Sequence, residues 1–250
     1  MPGGRYPWAV RAGGPLLGGG LVAKEPDELP NLEFWYDAQD PNTFVLDAGQ
    51  TVTTWQDKSG NGRDLGQATL ANKPVRGLDS GFNSVLFDGI DDVVFNQPLA
   101  VTISTTAGTS FIVERVVGNS GEIFRLRTSG FQEVAQSLCR TGQVNVSSTA
   151  SVGDNALTSF SRDTTVFHFY DRVISNDVDA VIEDDLGNTN TDADVGTIVS
   201  PINQIYLGGA NTTPLLPSNV HVFEWFGYSD RKTRAELDQL RLYLQTKYGL

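Results

Sequence analysis

One cysteine, one methionine and two histidines in 250 residues exclude several kinds of chemistry from the start. A lone Cys139 cannot close an internal disulfide. Cys139, His168 and His221 together fall short of the four ligands of a structural zinc site. Cys139 is read as a small buried apolar residue. No run of about 18 apolar residues occurs, so no stretch reads as a membrane-spanning helix. Positive charge is also scarce. The 18 Lys and Arg against 30 Asp and Glu leave a formal charge of −12, which repels phosphate backbones and anionic bilayers. Neither nucleic acid nor membrane insertion is expected.

What is present suits a folded domain. Hydrophobic residues make up 39%, and 26 glycines bring the combined share close to half, as in ordinary globular proteins. Three unequal parts follow along the chain. Residues 1–30 carry Gly3-Gly4, Gly13-Gly14-Pro15 and Gly18-Gly19-Gly20 with no helical or strand period. Arg5, Arg11 and Lys24 precede any acid, giving this segment a basic character against an acidic remainder. Such a stretch cannot form a core, and it reads as an extended anchoring arm that a neighbouring subunit holds. Tyr6, Trp8, Leu16 and Leu17 would be its apolar anchors, and Arg5 and Arg11 would pair with acidic groups of the partner. The competing reading is a secretory leader, since Leu16 to Ala23 imitates an apolar region and a small-residue cleavage site, although Gly and Pro make it a poor helix.

Residues 31 to about 228 alternate short β-branched and aromatic runs with Gly, Asn, Asp and Ser, among them 51–55, 84–87, 92–95, 110–116, 121–127, 143–147, 156–162, 164–170, 202–207 and 219–226. Many short strands without helical patterns between them predict an all-β fold, an antiparallel two-sheet jelly-roll sandwich over 31–250. One helix is expected, over 234–247. Thr233 and Glu236 have capping-box spacing, Leu237, Leu240 and Leu244 share a face, and Lys247 and Gly249 suit the C-terminal end.

Two motif groups then carry a resemblance. Trp55-Gln56-Asp57-Lys58-Ser59-Gly60-Asn61-Gly62-Arg63-Asp64, followed by Phe87-Asp88-Gly89-Ile90-Asp91-Asp92, is one. The other is Val222-Phe223-Glu224-Trp225-Phe226 with the closing Tyr243-Leu244-Gln245-Thr246-Lys247-Tyr248-Gly249. Together they resemble the laminin-G-like branch of the concanavalin A-like lectin/glucanase superfamily. That resemblance implies a lectin-like sandwich of the kind found in secreted lectins and adhesins, in glycan-degrading enzymes, and in virion proteins of tailed bacteriophages. The reading adopted is a structural virion protein (tail fibre, spike or capsid decoration) on the virion surface, as a homo-oligomer touching other virion proteins and host polysaccharide. A secreted lectin or adhesin is the alternative, and a glycoside hydrolase the third.

Enzyme chemistry is not expected. The glucanases of the superfamily carry Glu-x-Asp-x-x-Glu on one strand, and no such string occurs around Glu33, Glu114, Glu122, Glu133, Glu183 or Glu224. Neither His168 nor His221 sits near a nucleophile-elbow signature. No cofactor is required, but the resemblance leaves Ca²⁺ possible, with Asp88, Asp91 and Asp92 as the candidate ligands. A second acidic group spans Asp177, Asp179, Glu183, Asp184 and Asp185. Both groups are read first as solvated loops. Trp35, Trp55 and Trp225 could stack on a sugar by residue type but lie in strand-like positions, where core packing is favoured.

Overall fold

The computed structural model describes residues 20–104, 107–118, 121–128, 133–140, 143–149, 155–161, 168–175, 179–184, 189–192, 201–209 and 217–250. Between 133 and 192 it is described chiefly as backbone. The arm residues Arg5, Tyr6, Trp8, Arg11, Leu16 and Leu17 lie outside the described residues, as do Asp177 and Asp185.

Seventeen strands and one α-helix are described. In chain order the strands are β1 (Leu32–Asp37), β2 (Phe44–Leu46), β3 (Val52–Trp55), β4 (Leu65–Gly66), β5 (Val75–Asp79), β6 (Phe82–Asp88), β7 (Val94–Asn96), β8 (Ala107–Val116) and β9 (Gly121–Thr128). They continue with β10 (Glu133–Arg140), β11 (Gln143–Thr149), β12 (Asn155–Ser161), β13 (His168–Ser175), β14 (Asp179–Asp184), β15 (Thr189–Asp192), β16 (Ile202–Leu207) and β17 (Asn219–Tyr228). The first sheet runs β15-β14-β13-β8-β17-β6-β5, with β1 beside the far half of β17, and the second runs β12-β11-β10-β9-β16-β7-β4-β3-β2. Every pairing among the described strands is antiparallel. The fold is therefore the all-β, two-sheet sandwich with one C-terminal helix that the strand pattern predicts.

The inner layer explains the cohesion of the two sheets. Phe34, Tyr36, Val85, Phe87, Ile112, Val222 and Trp225 of the first sheet meet Trp55, Leu65, Val94, Phe124, Ile205 and Leu207 of the second in one buried cluster. Aromatic rings make its centre: Trp225 lies 4.7 Å from Phe34 and 5.0 Å from Phe124, centroid to centroid. Full burial of such side chains contributes on the order of 2–3 kcal/mol each.

A second cluster lies on the outer face of the first sheet. There Trp35, Phe111, Phe223, Phe226 and Tyr228 receive Leu237, Leu240, Leu244 and Tyr248 of α1 (Arg234–Tyr248). The register shift in β17 between Val222 and Glu224 turns Phe223 and Glu224 both toward the helix while Trp225 returns to the core. The helix starts on the Thr233–Glu236 capping box and ends at Gly249, whose φ of 69° is left-handed.

The end of the compositional arm belongs to this layer too. Pro26–Glu28 form a single 3-10 turn, and Leu29 is buried in the outer cluster. Lys24 N–H donates to the Gln239 carbonyl at 3.4 Å, the Tyr228 hydroxyl to the Pro26 carbonyl at 2.9 Å, and Lys232 Nζ to the Pro30 carbonyl at 2.6 Å. Residues 24–30 thus pack on the body, and the described chain enters on the α1 side.

Candidate functional site

Both motif groups prove to be fastenings. Asp57 is the hub of the first: its carboxylate accepts the Trp35 amide (2.9 Å), the Ser59 amide (2.9 Å), the Ser59 hydroxyl (2.8 Å) and the Arg63 amide (3.1 Å). Asn61 and Arg63 side chains donate to the carbonyl of Glu33, so the turn grips β1. Gly60 and Gly62 have φ of 84° and 70°, which the turn needs.

The C-terminal motif builds a buried charge network. Glu224 is completely buried. Its Oε1 accepts Trp35 Nε1 at 2.7 Å and the Tyr243 hydroxyl at 2.9 Å, and its Oε2 accepts Lys247 Nζ at 2.8 Å and the Tyr248 hydroxyl at 2.8 Å. Lys247 also meets Asp37 Oδ2 at 2.9 Å, and Lys58 meets the same oxygen at 3.0 Å while lying 4.1 Å over the Trp35 ring. Burial raises the Glu224 carboxyl above the ordinary carboxylate range, and Lys247 opposes that rise. Burial and the Glu224 charge hold the Tyr243 and Tyr248 phenols protonated, so both donate. Two carboxylates do converge here, but both are committed to clamping helix to sheet. A cavity of about 570 Å³ beside the network is lined by Glu25, Glu28, Trp35, Asp37, Lys58 and Lys247 among others.

Trp35, Trp55 and Trp225 are 3%, 0% and 0% exposed, which removes all three as sugar platforms. Asp88, Asp91 and Asp92 do converge, with ligand oxygens within 4.8 Å of one another. Asp88 Oδ1 accepts the Ile90 amide at 2.7 Å, and Asp92 Oδ2 accepts the Asp88 amide at 2.9 Å. Burial, then the Asp88 and Asp91 charges, push the Asp92 carboxyl up to about 6, while the Asp88 amide bond pulls the other way. These oxygens would suit a hard cation such as Ca²⁺, although the turn's own amides already use two of them. Glu183 of the second acidic group pairs with Arg234 at 2.7 Å and Arg241 at 2.8 Å, which ties β14 to α1.

His221 has neighbours that imitate a hydrolytic triad. Ser84 Oγ is 3.0 Å from Nδ1, and Asp79 Oδ1 is 3.7 Å from Nε2. Ser84 is completely buried, 3.7 Å is beyond a hydrogen bond, and Asp79 already accepts Arg115 Nε at 2.6 Å. His168 starts β13 opposite Glu114.

A feature that the sequence reading did not single out lies on the outer face of the second sheet. Register places Thr54, Gly66, Phe95, Tyr206 and Arg125 in one row across β3, β4, β7, β16 and β9. Trp55, Leu65, Val94, Ile205 and Leu207 point inward, so their neighbours in this row point to the outer side, where Tyr206 and Arg125 are themselves covered. Gly66 leaves a notch between Thr54 and Phe95, and over it sits an open groove of about 490 Å³. Its walls are Thr53, Thr54, Asp64, Gln67, Phe95, Asn96 and Gln97, with Leu65 and Ala68 completing the lining. Phe95 is half-buried, its ring 6.1 Å from that of Tyr206. An aromatic ring surrounded by amides, hydroxyls and a carboxylate can meet both the apolar face and the hydroxyl rim of a sugar. Only the Phe95-Asn96-Gln97 run, one aromatic followed by two amides at a strand end, could have marked it in the sequence.

No family model matches the chain, and no curated protein does. Solved structures do match by shape. Trypanosoma rangeli sialidase in complex with sialic acid superposes with a TM-score of 0.60 at 14% identity, over 87% of this chain and 33% of that one. The botulinum neurotoxin serotype D ligand binding domain in complex with N-acetylneuraminic acid gives 0.61 at 9%, over 85% and 51%. The binding domain of botulinum neurotoxin DC in complex with SialylT gives 0.62 at 11%, over 86% and 52%. The chain thus spans a third to a half of each of these longer chains. At such identities the likeness is one of fold, and these neighbours place the chain among all-β, jelly-roll-like sandwiches that include sugar-binding domains.

Proposed function

We propose that the chain is a non-enzymatic, lectin-like display module of a phage or phage-like particle, tethered through its N-terminal arm and presenting the outer face of its second sheet to glycans. The observation that carries this reading is the opposition of two faces. The described chain enters along α1 on the outer side of the first sheet, where Lys24 and Pro26 are hydrogen-bonded, while the groove beneath Phe95 opens on the outer side of the second. A module held by one side and binding with the other needs that polarity. The buried commitment of Glu224 and Asp37 to lysines supports a binding rather than a hydrolytic role. The concanavalin A-like motifs support the virion assignment as a resemblance. Weak sites repeated on one particle gain avidity without new contacts.

The test is incorporation and attachment. Particles assembled with the full chain are expected to carry it and to adsorb to host polysaccharide. Particles assembled with a chain lacking residues 1–19 are expected to lack it. Incorporation that ignores the arm would overturn the tether, and adsorption that ignores Phe95→Ala would overturn the binding face.

A further inference from the structure

The groove has a charge character that its shape-related neighbours would not suggest. Asp64 is exposed at its edge, and its Oδ1 accepts the Asp57 amide at 2.9 Å. It has no ion-pair partner among the described residues, which leaves Oδ2 free to accept from a ligand. Asn96 spends its Nδ2 on the Asp64 carbonyl at 2.8 Å and keeps Oδ1 as an acceptor. Gln97 Oε1 accepts the Tyr206 hydroxyl, leaving Nε2 as a donor. Among the described residues no lysine, arginine or histidine lines the groove. Cations on adjoining strands or loops are already paired: Lys73 reaches the hydroxyl of the wall residue Thr53 but is neutralised by Asp47, and Arg125 is paired with the buried Glu122. The Arg127 guanidinium lies 5.9 Å from the Tyr206 ring, outside the lining.

An anionic saccharide entering this groove would meet the Asp64 carboxylate and, among the described residues, no lining cation to balance it. A neutral one would find acceptors at Asp64 and Asn96, a donor at Gln97, and an apolar face at Phe95. From this we propose that the groove selects neutral, hydroxyl-rich saccharides and rejects acidic ones, with Asp64 as the discriminating residue. The inference rests on the reading of the groove as a saccharide site. It also sets this chain apart from the neighbours whose structures hold sialic acid. A carboxylate pair separated by roughly 6 Å in a solvent-exposed groove repels by about 1 kcal/mol, which corresponds to a three- to tenfold loss in affinity.

Calorimetric titration of the full chain tests this, with oligosaccharides of glucan, mannan and galactan set against sialyllactose and oligogalacturonate. At least one neutral series is expected to bind, with affinity falling about tenfold or more in Phe95→Ala. The acidic ligands are expected to bind three- to tenfold more weakly than matched neutral ones. Asp64→Asn, which keeps an acceptor for the Asp57 amide, should close that gap, and so should raising the salt from about 0.02 to 0.5 M, because screening weakens exposed repulsion. Preference for an acidic ligand, abolished by Phe95→Ala, would overturn the selectivity while leaving the saccharide site standing. Binding of none of the ligands, or binding indifferent to Phe95→Ala, would overturn the site itself and the selectivity with it.

Discussion

Replacing Lys247 by Met keeps the length and apolar stem of the side chain and removes only its ammonium. In the native network that ammonium lies 2.8 Å from Glu224 Oε2 and 2.9 Å from Asp37 Oδ2, so the variant leaves two carboxylates in one pocket. Glu224 is wholly buried and the Asp37 side chain is 6% exposed. Breaking a buried pair from one side typically costs about 3–5 kcal/mol, since the abandoned charge stays desolvated. For a chain of this size that corresponds to a fall in melting temperature of about 6–20 °C. The pH dependence follows from the same charges. Without Lys247 the Glu224 carboxyl, already raised by burial, loses the charge that opposes that rise, so the folded state binds more protons than the unfolded chain and stability falls as pH rises. The deficit against wild type should therefore shrink when the pH is lowered from 7 to 5. Adding Glu224→Gln to Lys247→Met should restore at least about 1 kcal/mol by removing one of the two charges. Urea denaturation followed by tryptophan fluorescence at both pH values gives all of these quantities. A loss below about 1 kcal/mol, or one that does not change with pH, would refute the view that this network clamps α1 to the sheet.

Other expectations follow from single positions. Asp92→Asn should stabilise the fold above pH 6 by on the order of 1–2 kcal/mol, after allowance for partial solvent screening, because the raised carboxyl is charged there against the pull of its surroundings. The gain should vanish toward pH 4, where Asp92 is protonated. Gly208→Ala should cost more than about 3 kcal/mol, since φ there is 90° and a Cβ would lie 2.0 Å from the Phe87 ring in the core. Removal of residues 1–19 should leave the melting temperature within about 2 °C, because their glycine-rich sequence has no helical or strand period with which to form part of a core.

The sequence carried the sandwich and the helix because both rest on periodic burial. Leu237, Leu240 and Leu244 form a stripe that only a helix presents to one face, and the β17 alternation needs a sheet with two covered sides. Strands were missed where that signal is weak. Glu133-Val-Ala-Gln-Ser-Leu-Cys-Arg140 is half polar with poor β-formers, and β5 centres on a glycine at a sheet edge. The closing Tyr-Leu-Gln-Thr-Lys-Tyr was visible as a motif, but its purpose was not, since a bulge in the preceding strand, which no local pattern announces, brings Glu224 beneath it. The Phe95 groove was hidden for a similar reason. Its floor and walls come from three strands spread over residues 53–97, and only register aligns Thr54, Gly66 and Phe95. The Asp88–Asp92 turn was legible as a cluster because all its ligands are local.

The most direct test of a glycan-facing second sheet is backbone and side-chain amide NMR of the labelled chain titrated with the tightest-binding neutral oligosaccharide. The account predicts perturbations centred on residues 53–54, 64–68 and 95–97, including the side-chain amides of Asn96 and Gln97. Shifts centred on α1 or on Asp88–Asp92, with 95–97 unmoved, would contradict it.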